Sequence, residues 1–391
     1  MPQPLSILFH RPTPWDDAVE CSTKVLTREL DRRGARTAYL EAPADPINFV
    51  RPNRGRRYLA RAPRVDNGTM VLRPFSAVPT RDVWPLNTLE ATAARYSWIR
   101  RNLTAQVKAH FSGAPDLIWT TVPGAVKPLR RAFPDSLVCS HVIDYYPAFR
   151  GDAVRRLEQS DYRSADLVFV ISNTLSDYVI NELGVDPVKV VMLGQGVSVA
   201  RFEQASEDPL STQHLPRPRA IYVGVLAKCD AELMTVAAEK LKELGGSLTL
   251  AGPPSPWVKS LEDEHRATVR VLPAQPPDEI PALLTHADIG LMLYDRSKQD
   301  VYRGQNPLKL YEYAASGLDI ISTPHDEFRT LKPPIRLVNN PESLERALDA
   351  ATRSNRPNVA ELRAFAERHD WRLIISSIGR SLERIGFKNW P

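Results

Sequence analysis

The chain reads as an α/β protein of two open, parallel-sheet domains that face each other across a cleft. Three observations predict this. Its 391 residues exceed one ordinary core and suit two domains of nearly 200 residues each. Short β-rich runs alternate with amphipathic helical patterns in both halves, the layering that parallel sheets require. Between Val197 and Arg219 that alternation lapses into a polar, proline-dotted stretch. The expected division is therefore a first domain over 1–197, a linker over 198–218, a second domain over 219–365, and a C-terminal helix over 366–391.

The elements follow in order. LSILFH (5–10) reads as a strand, and AVECSTKVLTRELDRRG as an amphipathic helix stopped by Gly34. RTAYLEAP gives a second strand. The stretch 43–86 is rich in proline and arginine and offers one strand, TMVLRP (69–74). A long helix is expected from about Thr88 to Phe111, followed by strands at 116–121, 136–144 and 166–172. The helix SNTLSDYVINELG and the run VKVVMLGQGV close this half. Beyond the linker, strands are expected at 220–227, 247–253, 269–273, 288–294, 319–323 and 335–340, with helical patterns between most of them. RLIISSIGRSLERI repeats apolar residues at three- and four-residue intervals and reads as the last helix. In open α/β sheets ligands bind beyond the carboxyl ends of the strands, so the residues just after each strand are the ones to inspect.

Composition narrows the function classes. Hydrophobic residues at 43% and charged residues at 25% are the balance of a soluble globular protein. Proline at 34 against glycine at 18, without a period, excludes collagen-like and glycine-linker architectures. Cys21, Cys139 and Cys229 form no CxxC pair, which points to a reducing compartment and away from a disulfide framework or a cysteine zinc site. The start MPQPLSILFHRPTPW lacks a basic n-region, and no apolar run approaches 18 residues. A cytoplasmic protein is expected. The net charge of +5 is concentrated: the window 51–101 holds eleven arginines against Asp66, Asp82 and Glu90. Arg51, Arg54, Arg56 and Arg57 are candidates for contact with phosphate or an anionic membrane face, hence a peripheral position there; the alternative is a solvated loop. Nucleic acid is disfavoured, because neither zinc spacing nor an aromatic-rich strand accompanies the cluster.

NPLKLYEYAASG (306–317) carries the most chemistry. Asn306 suits an N-cap, Pro307 the first helical position, and Gly317 the stop. Lys309 lies near the helix N-terminus, where unpaired N–H groups favour an anion, and Glu312 follows three residues later on the same face. A cation at a helix start can hold a diphosphate, and a carboxylate one turn deeper can accept ribose hydroxyls. The plainer reading of the same spacing is a surface ion pair. Asp144 ends the strand of HVIDYYP, where a carboxylate facing the cleft could serve as general base or, more simply, shape a turn. His10 ends the first strand near Trp15, and both are candidates for an acceptor site. His141 reads as a core histidine with its nitrogens satisfied. Lys228 and Asp230 follow the first strand of the second half, within reach of sugar or phosphate, with helix capping as the alternative for Asp230. Neither a P-loop, a GxGxxG run nor HExxH is present, so no cofactor and no metal is expected.

The run NPLKLYEYAASGLDIIST resembles the C-terminal nucleotide-sugar motif of GT-B glycosyltransferases, in the branch that includes TuaH and the glucuronosyltransferase GumK. HRPTPWDDAVECSTKVLTREL, ISNTLSDYVINELG with VVMLGQGV, YVGVLAKCDAELM, LLTHADIGLMLYD and ERHDWRLIISSIGRSLERI are similar to further segments of that branch in the same order. The resemblance implies the GT-B fold: two Rossmann-like domains facing across a cleft, the last helix crossing back onto the first. It implies that Lys309 contacts donor phosphate and Glu312 the ribose; Asn306, beside them in the run, is a further donor-binding candidate. Gly224 would allow close approach to the diphosphate, with Tyr294 in the same pocket; Lys228 joins them as a donor-binding candidate by its position after the strand. Many retaining members carry a second glutamate eight residues before the ribose-binding one; here that position is Gly304, beside Gln305. An inverting, metal-independent transfer with Asp144 as base is the expectation. It would move a sugar from a nucleotide-diphosphate donor, a UDP-sugar, to a glycan or lipid-linked glycan in polysaccharide biosynthesis. An epimerase of the same fold and a non-catalytic nucleotide-sugar binding protein remain as alternatives.

Overall fold

The computed structural model of the chain describes residues 4–17, 19–47, 61–205, 207–352 and 359–391. The first sheet is formed by β1 (Ser6–His10), β2 (Arg36–Leu40), β3 (Arg61–Asp66), β4 (Thr69–Arg73), β5 (Leu117–Thr120), β6 (Leu137–Val142), β7 (Leu167–Val170) and β8 (Val190–Met192). Their order is β3-β4-β2-β1-β5-β6-β7-β8, parallel except for β3 against β4. The second sheet, β11-β10-β9-β12-β13-β14, is wholly parallel. It comprises β9 (Arg219–Val223), β10 (Ser247–Ala251), β11 (Val269–Leu272), β12 (Ile289–Met292), β13 (Asp319–Ser322) and β14 (Arg336–Leu337).

Among its described residues, the stretch 43–86 holds two strands rather than the one expected. β3 and β4 form a hairpin whose turn places Asn67 and Gly68 at φ 47° and 92°. An Asn-Gly pair accepts two successive positive φ values, which the tight hairpin turn demands. That dipeptide was the available signal; the arginine and proline around it masked it.

Alternate residues of the central strands face opposite layers, as the two-residue pleat dictates. Leu8, Ile118, Val138 and Val168 point one way, against α2 (Leu89–Phe111), α3 (Val126–Ala132) and α4 (Val154–Ser164). Ile7, Phe9, Trp119, Cys139 and Phe169 point the other way. There they meet Leu26 and Leu30 of α1 (Ser22–Arg32), and Ile374, Ile375, Ile378 and Leu382 of the last helix, α13 (Trp371–Arg384). The C-terminal helix thus crosses back and closes the core of the first sheet. The crossing is pinned where Val197 N–H donates to His369 O (3.0 Å) and Trp371 N–H to Val197 O (3.1 Å). α5 (Asn173–Asp177) leads toward β8, the last strand of the first sheet, and α6 (Val199–Glu203) leads toward β9. The second sheet is layered by α7 (Ala231–Glu243), α8 (Pro256–Glu264), α9 (Ile280–Thr285), α10 (Leu308–Ala315), α11 (Pro341–Thr352) and α12 (Val359–Arg368).

Candidate functional site

The carboxyl ends of the two sheets look into a shared cleft of about 320 Å³. On the second-domain side, β9 runs into Gly224, whose N–H donates to Ala251 O (2.9 Å) and whose φ of +137° suits glycine alone. A Cβ there would stand 3.0 Å from Lys309 Nζ, and a Cβ on Gly252 would stand 1.8 Å from Gly224 O. Two loops therefore pack backbone to backbone beneath the ammonium.

Lys309 rises from the first turn of α10, its Nζ 3.8 Å from the Tyr222 ring centroid and 5.1 Å from that of Tyr294. Burial lowers its ammonium to about 7, with Cys229 and Glu312 opposing and Lys228 adding to the shift. Glu312, one turn on, lines the same cleft; burial and the Glu20 carboxylate push it up to about 7 against Arg201 and Lys309. Lys228 also lines the cleft, held by its backbone carbonyl, which accepts from Asp295 N–H (2.9 Å) and Tyr302 Oη (3.2 Å). Among the described residues no carboxylate pairs with Lys228 or Lys309. Tyr294 forms the wall behind them, edge-on to Tyr302 and His325.

On the first-domain side Asp144, just past β6, lines the cleft. Burial pushes its carboxyl up, while Lys228 and Arg11 oppose from either wall. A raised pKa makes the carboxylate a stronger base, suited to take a proton at the cleft. Arg11, Thr13 and Gln275 also line the cleft and were missed from the sequence. Each directly follows or lies near a strand end, β1 for the first two and β11 for the third, and that position was the available signal.

The structure brings Asp144, Gly224, Lys228, Tyr294, Asn306, Lys309 and Glu312 into one cleft and leaves others outside. His10 is buried under the sheet rather than in the cleft: Nδ1 hydrogen-bonds Thr120 Oγ1 (3.0 Å), Nε2 the Tyr96 hydroxyl (3.0 Å), and burial lowers it to about 3. Trp15 is likewise scaffold. Its indole N–H donates to Asp66 Oδ2 (2.6 Å), its backbone N–H to Glu41 Oε1 (2.5 Å), and its ring packs edge-on to Tyr39. His141 is in the core as expected, but neither nitrogen has a hydrogen-bond partner among the described residues; burial and Arg11 lower it to about 3. Asp230 caps α7, accepting from Leu233 N–H (3.1 Å), and pairs with Arg296 (2.7 Å). Arg51, Arg54, Arg56 and Arg57 lie outside the described residues.

Asn306 departs from the expected cap. Pro307 is extended (φ −70°, ψ 130°) and the helix begins at Leu308, so Asn306 is free to reach the other domain. Its Nδ2 donates to Ile171 O (2.9 Å), and Tyr311 Oη donates to its Oδ1 (2.8 Å). It belongs to a junction in which Ser172 Oγ donates to Gly304 O (2.6 Å). Glu327 accepts there from Asn173 N–H (2.7 Å) and Nδ2 (3.0 Å). Gly304 has φ +67°, and a Cβ would fall 2.9 Å from Leu175 Cγ. This position is spent on holding the domains together.

Residues 18–196 match the model of a glycosyl transferase 4-like domain. No curated protein sequence matches the chain. The structure is similar to sucrose-phosphate synthase from Thermosynechococcus elongatus, at 16% identity over 98% of this chain and 99% of that one, TM-score 0.71. It is similar to α,α-trehalose-phosphate synthase from Burkholderia xenovorans in complex with glucose-6-phosphate, at 13% identity over 97% and 100%, TM-score 0.66. A third likeness is to HepE from Anabaena in complex with UDP and glucose, at 14% identity over 97% and 100%, TM-score 0.66. The chain has the GT-B fold.

Proposed function

We propose that the chain is a glycosyltransferase that moves a sugar from a UDP-sugar to a hydroxyl of a glycan or lipid-linked acceptor, with inversion. The observation that carries this is the meeting of Asp144 on one wall of the cleft with Lys228, Lys309 and Glu312 on the other. HepE holds UDP and glucose on the same fold, which supports the donor. Within the class we place the chain beside the TuaH and GumK branch, on the motifs of the sequence.

In this reading Glu312 accepts the ribose hydroxyls, and the diphosphate lies over Gly224 against Lys228 and Lys309. Asp144 takes the acceptor proton as the acceptor oxygen attacks the anomeric carbon. The bond from that carbon to the diphosphate breaks, and its electron pair passes to a phosphate oxygen stabilised by the two ammonium groups. The protein's own cations meet the developing charge, so no metal or cofactor is assigned a step. A retaining course would want a carboxylate near position 304, which the domain junction occupies.

The test is a thermal-shift panel with UDP, GDP, dTDP and ADP. Ligand at 100 times its dissociation constant adds about 2.7 kcal/mol of apparent stability. Stabilisation by UDP, abolished in Lys309→Ala and Glu312→Ala, is the expected result; no response to any nucleotide would sink the reading. Asp144→Asn should keep UDP binding and lose turnover.

We further propose a cytoplasmic protein working at an anionic membrane face. No helix among the described residues is long and apolar enough to cross a membrane. Support comes from the basic window and from Trp84 and Trp98, 82% and 59% exposed on the first domain, with Arg100 and Arg101 also exposed. Failure to sediment with anionic liposomes at low salt would remove this part.

A further inference from the structure

We propose that the acceptor carries a phosphate group close to its reactive hydroxyl, and that Arg11 binds it. The proposal rests on the glycosyl-transfer reading and names the substrate class of its acceptor half.

Arg11 directly follows β1 and lines the cleft on the first-domain wall. Its Nε donates to Thr13 Oγ1 (3.2 Å), and Thr13 is itself tethered, its carbonyl accepting from Tyr39 Oη (3.1 Å). That anchorage uses one edge of the guanidinium and fixes its plane. The terminal nitrogens make no hydrogen bond or ion pair with any described residue. Arg11 is half-buried, and an unused guanidinium fork that faces the cleft is suited to an anion.

The protein does not supply that anion. Asp144 shares the cleft and feels the charge of Arg11, yet no ion pair joins them, and burial prevails over Arg11 in setting the carboxyl. The donor does not supply it either, since its diphosphate is matched by Lys228 and Lys309 on the opposite wall. What remains is a group on the acceptor, placed so that a hydroxyl reaches Asp144 while the anion reaches Arg11. Cys21 and Ser22, at the start of α1, line the same wall, and no side chain caps that helix. A planar carboxylate is satisfied by the guanidinium fork alone. A phosphate has further oxygens for the helix start, so the pair of features selects phosphate. The ester could belong to a free sugar phosphate or to a phosphate-linked lipid sugar.

Calorimetry on the full chain, with and without UDP, tests this using inorganic phosphate, glucose 6-phosphate, geranyl-phosphoglucose and glucose as probes. Wild type should bind at least one phosphate probe about tenfold or more tighter than glucose. Arg11→Met should lose about 10- to 100-fold on that probe, and Arg11→Lys, which keeps charge without the fork, should lose less. UDP binding, measured in the same variants, reports that they are folded. Preference for glucose 6-phosphate identifies the free ester, and preference for the geranyl diester the lipid-linked one. If no phosphate probe outbinds glucose, or the preference survives in Arg11→Met, the proposal is overturned. If UDP fails to bind while the Arg11-dependent preference holds, the donor reading falls and the Arg11 site stands.

Discussion

Lys309 and Glu312 sit one helical turn apart, both moved by burial to about 7, one down and the other up. A bound diphosphate favours the charged ammonium, so it should draw a proton onto Lys309. Ribose hydroxyls donating to Glu312 favour its charged form and should release one. The two effects oppose each other near pH 7, so wild type should show little net proton exchange on binding UDP. Glu312→Gln should reveal uptake approaching one proton above pH 7, measured by calorimetry in buffers of different ionisation enthalpy. Release in that variant would contradict the assignment of Lys309 to phosphate. His141 carries a second prediction. Its pKa falls from 6.5 unfolded to about 3 folded, so the folded state excludes a proton that the unfolded chain binds. Stability is therefore lost as pH falls through 6.5 toward 3. His141→Phe keeps an aromatic ring against Trp119 and removes two unpartnered nitrogens. Its advantage over wild type in urea melts should grow between pH 8 and pH 5. An equal difference at both values would argue against the unpartnered state.

At the scale of elements, the strands of the second sheet depend on close approach. Gly290 in β12 leaves no space for a side chain: a Cβ would lie 2.4 Å from the Tyr313 ring. Tyr313 in turn accepts from Val223 N–H through its hydroxyl (3.0 Å), fixing the end of β9 just before Gly224. Gly290→Ala should cost about 1–3 kcal/mol in denaturant melts. It should also weaken UDP binding, although position 290 does not line the cleft. Unchanged UDP affinity would show that the Gly224 loop is held from elsewhere. The same elements show what was legible in the sequence. Alternating apolar strands announced both sheets, whereas the spacing of Lys309 and Glu312 fitted a surface ion pair equally well, and the place of both in the cleft was signalled by the resemblance of the run around them. The Asn67-Gly68 turn of the β3–β4 hairpin was masked by the arginine and proline around it. The inner position of Trp15 was not legible, because its pairing with Asp66 and Glu41 is long-range and leaves no local pattern. Asn306 looked like a cap for a similar reason: its partner, Ile171 O, lies across the domain boundary.

For the whole molecule, the decisive contacts are those that set one domain against the other. Ser172, Asn173 and Asn306 form one set, and the Arg303–Glu182 pair (2.8 Å), with the guanidinium 4.4 Å above the Tyr145 ring, forms another. The cleft has its present width because these hold. Glu327→Ala removes both bonds to Asn173 and should cost about 2 kcal/mol. It should also enlarge the radius of gyration in small-angle scattering, with UDP reversing part of the expansion. A variant as compact as wild type would place the closure elsewhere.

The return of α13 to the first sheet also orders events in time. Synthesis runs from the N-terminus, so β1 through β8 have emerged while residues 371–384 are still untranslated. At about 5–20 residues per second, the layer bearing Phe9, Trp119 and Phe169 waits roughly 10–40 s for Ile375 and Ile378. During that interval the nascent chain presents an oily face to water, a natural client for a chaperone. The second sheet meets no such delay, being contiguous in sequence and free to close as it leaves the ribosome. The domain made first is thus the one finished last.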